Sequence, residues 1–228
     1  PARYTSVEAI ATYYLAEIRK IRAHGPYCLG GYSFGALVAF ELACQLSAQG
    51  EQVAFLALLD PASSLGEAGA GRAWWRKRWL RRDMREHVGA RLDIGLKRAI
   101  ANLHLAIGRD LPRSVRIQYI VDIYRQASAR YSMRPYSGRV TLFRGEGRAD
   151  RVWREWETYL TGAIDVFDVP GTHDDLRQER HVCSWATHLA SSLMAAQSHS
   201  RTVGPTQADW LPPLVASQSH APITTVRT

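Results

Sequence analysis

The sequence predicts an α/β fold carrying an inserted helical lid. Apolar runs of strand length alternate with helical patterns near both ends of the chain. Residues 61–130 hold long helical patterns broken by glycines, with no strand-like run. The pentapeptide Gly31-Tyr32-Ser33-Phe34-Gly35 joins a short apolar run directly to an apolar helix. With 228 residues, 46% hydrophobic and 22% charged, the chain can build one cored domain, which excludes a disordered, collagen-like or coiled-coil protein.

Ser6 to Ala23 reads as an amphipathic helix, with Val7, Ile10, Tyr14, Leu15, Ile18 and Ile21 at helical spacing and Glu8 and Glu17 on the polar side. Gly25-Pro26 stops it. Tyr27 to Gly31 is a short apolar run consistent with a buried strand. Phe34 to Leu46 is apolar nearly all round, as a helix buried on most sides would be, and Gly50 is its expected terminator. Val53 to Leu59 is continuously apolar, as in a parallel strand covered on both faces. Arg139 to Arg144 and Ile164 to Val169 are expected as further strands, and Asp174 or Asp175 as the cap of a last helix ending near Ala196. Residues 197–228 are Ser, Thr, Gln, Pro and His without period and are expected as a disordered tail, which leaves 1–196 as the folded domain.

No run of eighteen apolar residues occurs, and the first residues hold no signal-peptide core. Three cysteines, Cys28, Cys44 and Cys183, show no metal spacing and no disulfide framework, so a cytoplasmic protein without a metal is expected. The net charge is +8, yet ten Lys/Arg against three acids lie between Gly71 and Arg98, so that segment alone carries +7. Trp75 and Trp79 lie among those arginines, a pattern that nucleic-acid or membrane surfaces also use. Aromatics at that spacing more often form the inner face of a lid helix, and neither nucleic acid nor membrane is expected as a partner.

A nucleophilic serine must project its hydroxyl from a sharp strand-to-helix turn. Gly31 and Gly35 flanking Ser33 are expected to let the backbone crowd there. Because a neutral hydroxyl is a poor nucleophile, it needs a base and a group that orients the base. Asp60 ends the apolar run Val53–Leu59, at the carboxyl end of a strand where open α/β sheets place their sites. A turn or capping role before Pro61 is the alternative. Asp150, beyond the Arg139–Arg144 run, is the rival acid. His173 follows the last expected strand in Pro170-Gly171-Thr172-His173, within reach of a serine across the crevice. His181 and His188 fall inside the last helix and read as surface or packing residues.

The stretch from Gly25 to Ala43 closely resembles thioesterase domains of nonribosomal peptide and polyketide synthases. So do Gln49 to Val53 leading to Leu58-Leu59-Asp60, Arg134 to Arg144, and Val169 to His173. The resemblance runs from about Ser6 to Met194 and implies an α/β-hydrolase fold with a helical lid over about residues 61–130. It implies release of an acyl or peptidyl chain from the phosphopantetheine arm of a carrier domain, by hydrolysis or cyclisation. No cofactor is then bound directly. Ser33 becomes the acylated nucleophile, His173 the base, Asp60 the orienter and the Phe34 amide an oxyanion-hole donor. An acid directly after this strand resembles chain-terminating domains, whereas editing (type II) thioesterases more often place it after a later strand, near Asp150. An esterase on the same fold is the remaining alternative. In the family a strand and a glycine-rich loop that gives a second oxyanion donor precede these residues. The chain is therefore expected to be N-terminally truncated, beginning after them.

Overall fold

The computed structural model describes residues 5–62, 95–97, 99–147 and 150–202. Helix α1 (Val7–Ile21) is capped by Ser6, whose hydroxyl accepts the Ala9 N–H at 3.2 Å. Its buried stripe is Val7, Ile10, Ala11 and Leu15, while Tyr14 and Ile21, expected on the apolar face, are exposed. Strand β1 (Tyr27–Tyr32) leads into α2 (Phe34–Ala48), which is buried continuously from Ala36 to Cys44. Gly50 ends α2 at φ 75°, a left-handed conformation that suits glycine. Strand β2 spans Val53–Leu59, α3 spans Arg113–Arg130, β3 spans Val140–Glu146, α4 spans Asp150–Tyr159, and β4 spans Ile164–Thr172. A 3₁₀ turn (Asp175–Arg177) precedes α5 (Glu179–Thr202).

The four strands form one sheet in the order β1-β2-β3-β4, every pair parallel. Alternate residues of β2 feed the two faces: Leu56 and Leu58 join a core with α1, α2 and α4, whereas Phe55 and Ala57 join Phe143, Val169 and the inner side of α5. The expected α/β architecture is therefore present, with helices on both faces of a parallel sheet. Among the described residues of 61–130, the chain is helical over 95–97, 99–106 and α3, and no strand occurs. The basic stretch from residue 72 to 94, with Trp75 and Trp79, lies outside the described residues.

Three expectations need correction. The sequence pattern places no helix between the strands at Arg139–Arg144 and Ile164–Val169, but parallel β3 and β4 require a crossover, and Val152, Trp153, Trp156 and Leu160 bury one side of α4. Neither Asp174 nor Asp175 caps the last helix. The Asp175 carboxylate instead accepts the backbone N–H and hydroxyl of Thr172 at 3.0 and 2.7 Å, and a 3₁₀ turn follows before the helix starts at Glu179. Residues 197–202, expected in the tail, continue α5, and 203–228 lie outside the described residues. Among the described residues, no helix is long and apolar enough to cross a membrane, and no group of three or more His, Cys, Asp and Glu residues could hold a metal ion.

Candidate active site

The sheet register assembles the site. Tyr32 pairs with Leu59, Leu59 with Phe143, and Glu146 with Thr172. Ser33, Asp60 and His173 each follow the last paired residue of a strand, so they stand in a row along the carboxyl edge of the sheet, with Gly145 on β3 between the last two. Backbone hydrogen bonds lock that row: Ser33 N–H to Leu59 C=O at 3.0 Å, Asp60 N–H to Phe143 C=O at 2.8 Å, and Ala62 N–H to Ser33 C=O at 3.1 Å.

Ser33 has φ 56° and ψ −120°, and Asp60 has φ 40°. They are the only non-glycine residues at positive φ among the described ones, and such conformations cost about 1–3 kcal/mol each. Strain confined to these two points to the site. The flanking glycines are not equivalent, contrary to expectation. A Cβ on Gly31 would stand 2.1 Å from the Gly35 carbonyl oxygen, so glycine is obligatory there. A Cβ on Gly35 would meet nothing within 4 Å outside the local helix backbone.

The Asp60 side chain is fully buried. One carboxylate oxygen accepts the Gly145 N–H at 3.2 Å, and the other is hydrogen-bonded to Nδ1 of His173. A Cβ on Gly145 would come within 3.4 Å of the Asp60 carboxyl carbon, 3.3 Å of the Gly171 carbonyl and 3.2 Å of a Leu176 methyl, so glycine lets this strand carry the amide close to the acid. The His173 side chain is 32% exposed, on a turn that follows Gly171 at φ 98°. Tyr32 lies against it, ring on ring at 4.8 Å and 18°, and donates its hydroxyl to the His173 carbonyl. Burial pushes the Tyr32 phenol above its ordinary value, so at neutral pH it is a donor. On the other side of the elbow, Phe34 stacks on Tyr124 of α3, centroids 4.1 Å apart and 10° from parallel.

With Asp60 holding Nδ1, the imidazole can take up a proton through Nε2, and a buried carboxylate stabilises the imidazolium that results. The arrangement can do general-base chemistry at the elbow. Asp150, the rival acid, opens α4, and its side chain lies outside the described residues. His188 stacks on Phe167 at 4.6 Å, a packing role as expected. Sequence reasoning passed over Tyr32 and Gly145. The signal for Gly145 was a glycine ending an apolar strand that faces an acid. The one for Tyr32 was an aromatic directly before the serine.

Malpinin synthetase of Mortierella alpina is 30% identical over 177 residues, which cover 75% of this chain and 2% of that protein. Microperfuranone synthase of Emericella nidulans is 24% identical over 221 residues, covering 83% of this chain and 23% of the synthase. The chain thus spans a small part of the curated relatives it matches. Among solved structures, the NocB thioesterase domain in covalent complex with a fluorophosphonate nocardicin G analogue superposes with a TM-score of 0.57. It is 25% identical, over 84% of this chain and 77% of that one. The family model for the thioesterase domain matches residues 2–194, and the chain belongs to that family.

Proposed function

We propose that this domain is a serine thioesterase that releases an acyl or peptidyl chain from the phosphopantetheine arm of a carrier domain, with Ser33 as nucleophile, His173 as base and Asp60 as orienting acid. The observation that carries the reading is the buried Asp60 carboxylate bonded to Nδ1 of His173, one residue beyond strands that also set a strained Ser33 at the same sheet edge. Ser33 Oγ attacks the thioester carbonyl while its proton passes to His173 Nε2. The oxyanion forms against the Phe34 amide, the first N–H of α2, where the helix dipole adds to the hydrogen bond. Collapse of the adduct breaks the C–S bond, the proton returns to the departing thiolate, and an ester on Ser33 remains. Water, or a nucleophile within the chain, then attacks that ester as His173 takes its proton, the acyl–Oγ bond breaks, and the proton passes to Ser33 Oγ. An acid after β2 supports the chain-terminating type over the editing type.

The partner in this reading is a carrier domain of the same assembly line, and the match to 2% of a synthetase and 23% of a synthase, each far longer than this chain, supports it. The surplus of seven positive charges between Gly71 and Arg98 supports docking of an acidic carrier, which would raise the encounter rate more than it deepens binding. Intact-mass analysis after exposure to a fluorophosphonate tests the nucleophile. One adduct per chain is expected on the native protein and none on Ser33→Ala, whose melting temperature should be unchanged. A stoichiometric adduct on Ser33→Ala overturns the assignment.

A further inference from the structure

We infer that Tyr32 is a positioning residue for His173, clamping the base at two points so that its imidazole faces both Asp60 and the serine that follows Tyr32 in the chain. This inference rests on the reading of His173 as the base and adds the device that aims it.

The need for such a device follows from where His173 stands. Its side chain is about a third exposed. Its backbone lies outside regular structure, between the end of β4 and the 3₁₀ turn Asp175–Arg177, two residues after a glycine at φ 98°. The Asp60 hydrogen bond acts on Nδ1 alone, and it sets neither the plane of the ring nor the position of the backbone by itself. Tyr32 sets both. Its hydroxyl donates to the His173 carbonyl, which holds the backbone. Its ring lies nearly parallel to the imidazole at 4.8 Å, which fixes the plane of the base. A third contact holds Tyr32 to the same turn: the Arg177 guanidinium lies 5.8 Å from the Tyr32 ring centroid and is itself paired with Asp174 at 3.1 Å.

The clamp starts from the right place. Tyr32 is the last residue of β1, in register with Leu59, and is continuous with the strained Ser33. Movement of the elbow is therefore passed to the base through Tyr32, whose peptide link to Ser33, ring stack and hydroxyl bond together couple nucleophile and base. A misplacement of about 1 Å between reacting groups can cost about a hundredfold in rate.

The test uses the whole chain with Tyr32→Phe, which keeps the stack and removes the hydroxyl, and Tyr32→Leu, which removes both. Three quantities are read: the second-order rate of inactivation by a fluorophosphonate, kcat and KM on an N-acetylcysteamine thioester, and the downfield imidazole proton of the His173–Asp60 hydrogen bond. Tyr32→Leu should react about a hundredfold more slowly and lose kcat with KM nearly unchanged, and its downfield proton should broaden. Tyr32→Phe should fall between it and the native protein, with a sharp proton signal. A purely packing role would lower the melting temperature without this split. If Tyr32→Leu fails to fold, Tyr32→Phe decides alone: a severalfold drop in kcat at native melting temperature supports the clamp, and native kinetics overturn it. Native kinetics in a folded Tyr32→Leu overturn it as well. Ser33→Ala separates the two levels. If that variant is still labelled, the reading of the site fails. If it is silent while Tyr32→Leu reacts at the native rate, only the clamp fails.

Discussion

Among the described residues the two most deeply buried carboxylates are Asp60 and Glu41, at 0% and 1% exposure against 5% for Asp122, and their surroundings differ. Glu41 lies in the middle of α2, a regular helix, and accepts from Tyr131 at 2.7 Å, Arg134 at 2.8 Å and Gln45 at 2.9 Å. Tyr131 and Arg134 belong to the chain leaving α3, so Glu41 ties that chain to α2. Asp60 sits on strained backbone and spends its oxygens on a strand amide and a partly exposed histidine. Both are satisfied, as burial demands. What separates them is the partner: Glu41 is held by a phenol, an amide and a guanidinium, whereas Asp60 is held by a strand amide and an imidazole, the side chain most often used as a general base. Burial alone does not mark a catalytic acid.

A change at the elbow should cost both turnover and stability. Gly31→Ala forces a Cβ against the Gly35 carbonyl, and neither β1 nor α2 can give way without moving Ser33. Activity should fall by more than about a hundredfold and stability by about 3 kcal/mol, measured by thioester turnover and urea unfolding. Gly35→Ala, with open space around its Cβ, is the control and should fold like the native protein.

A smaller effect probes the Glu41 side. Tyr131→Phe removes one hydrogen bond to a buried carboxylate and should cost about 1–2 kcal/mol with turnover unchanged. It should also change the response to alkali. Burial first, and then the hydrogen bond to Glu41, push the Tyr131 phenol far above its ordinary value. A raised phenol contributes stability that is fully present below the unfolded value, about 10, and lost as pH rises beyond it. Above that pH the native protein should lose stability more steeply than Tyr131→Phe, by up to about 1.4 kcal/mol per pH unit. Equal slopes would mean that the phenol is not held protonated by this network.

Much of this contrast was legible in the sequence, though unevenly. The positions of the elbow, of Asp60 after β2 and of His173 after β4 were readable because strand ends are marked by where apolar runs stop, and the roles proposed for them start from those positions. Glu41 was passed over inside a helix read as apolar all round, although a lone acid in such a helix is itself a sign of a buried partner. Two of its three partners, Tyr131 and Arg134, come from about ninety residues away, and no local pattern names them. Helix α4 was missed because its buried face of Val152, Trp153 and Trp156 is short and set among Arg and Glu. The Tyr32 clamp depends on an approach across 141 positions, which only the folded sheet creates.

The most direct test of the division of labour is to measure turnover and unfolding free energy side by side in Asp60→Asn and Glu41→Gln. Asp60→Asn should lose about four orders of magnitude in kcat, as expected when an orienting acid no longer fixes the tautomer, while its unfolding free energy stays within about 1 kcal/mol of native. Glu41→Gln should do the reverse, losing about 2–4 kcal/mol of stability with kcat per folded molecule within about twofold of native. If Asp60→Asn keeps its turnover, or if Glu41→Gln loses turnover while keeping its stability, the assignment of Asp60 to chemistry and Glu41 to architecture is wrong.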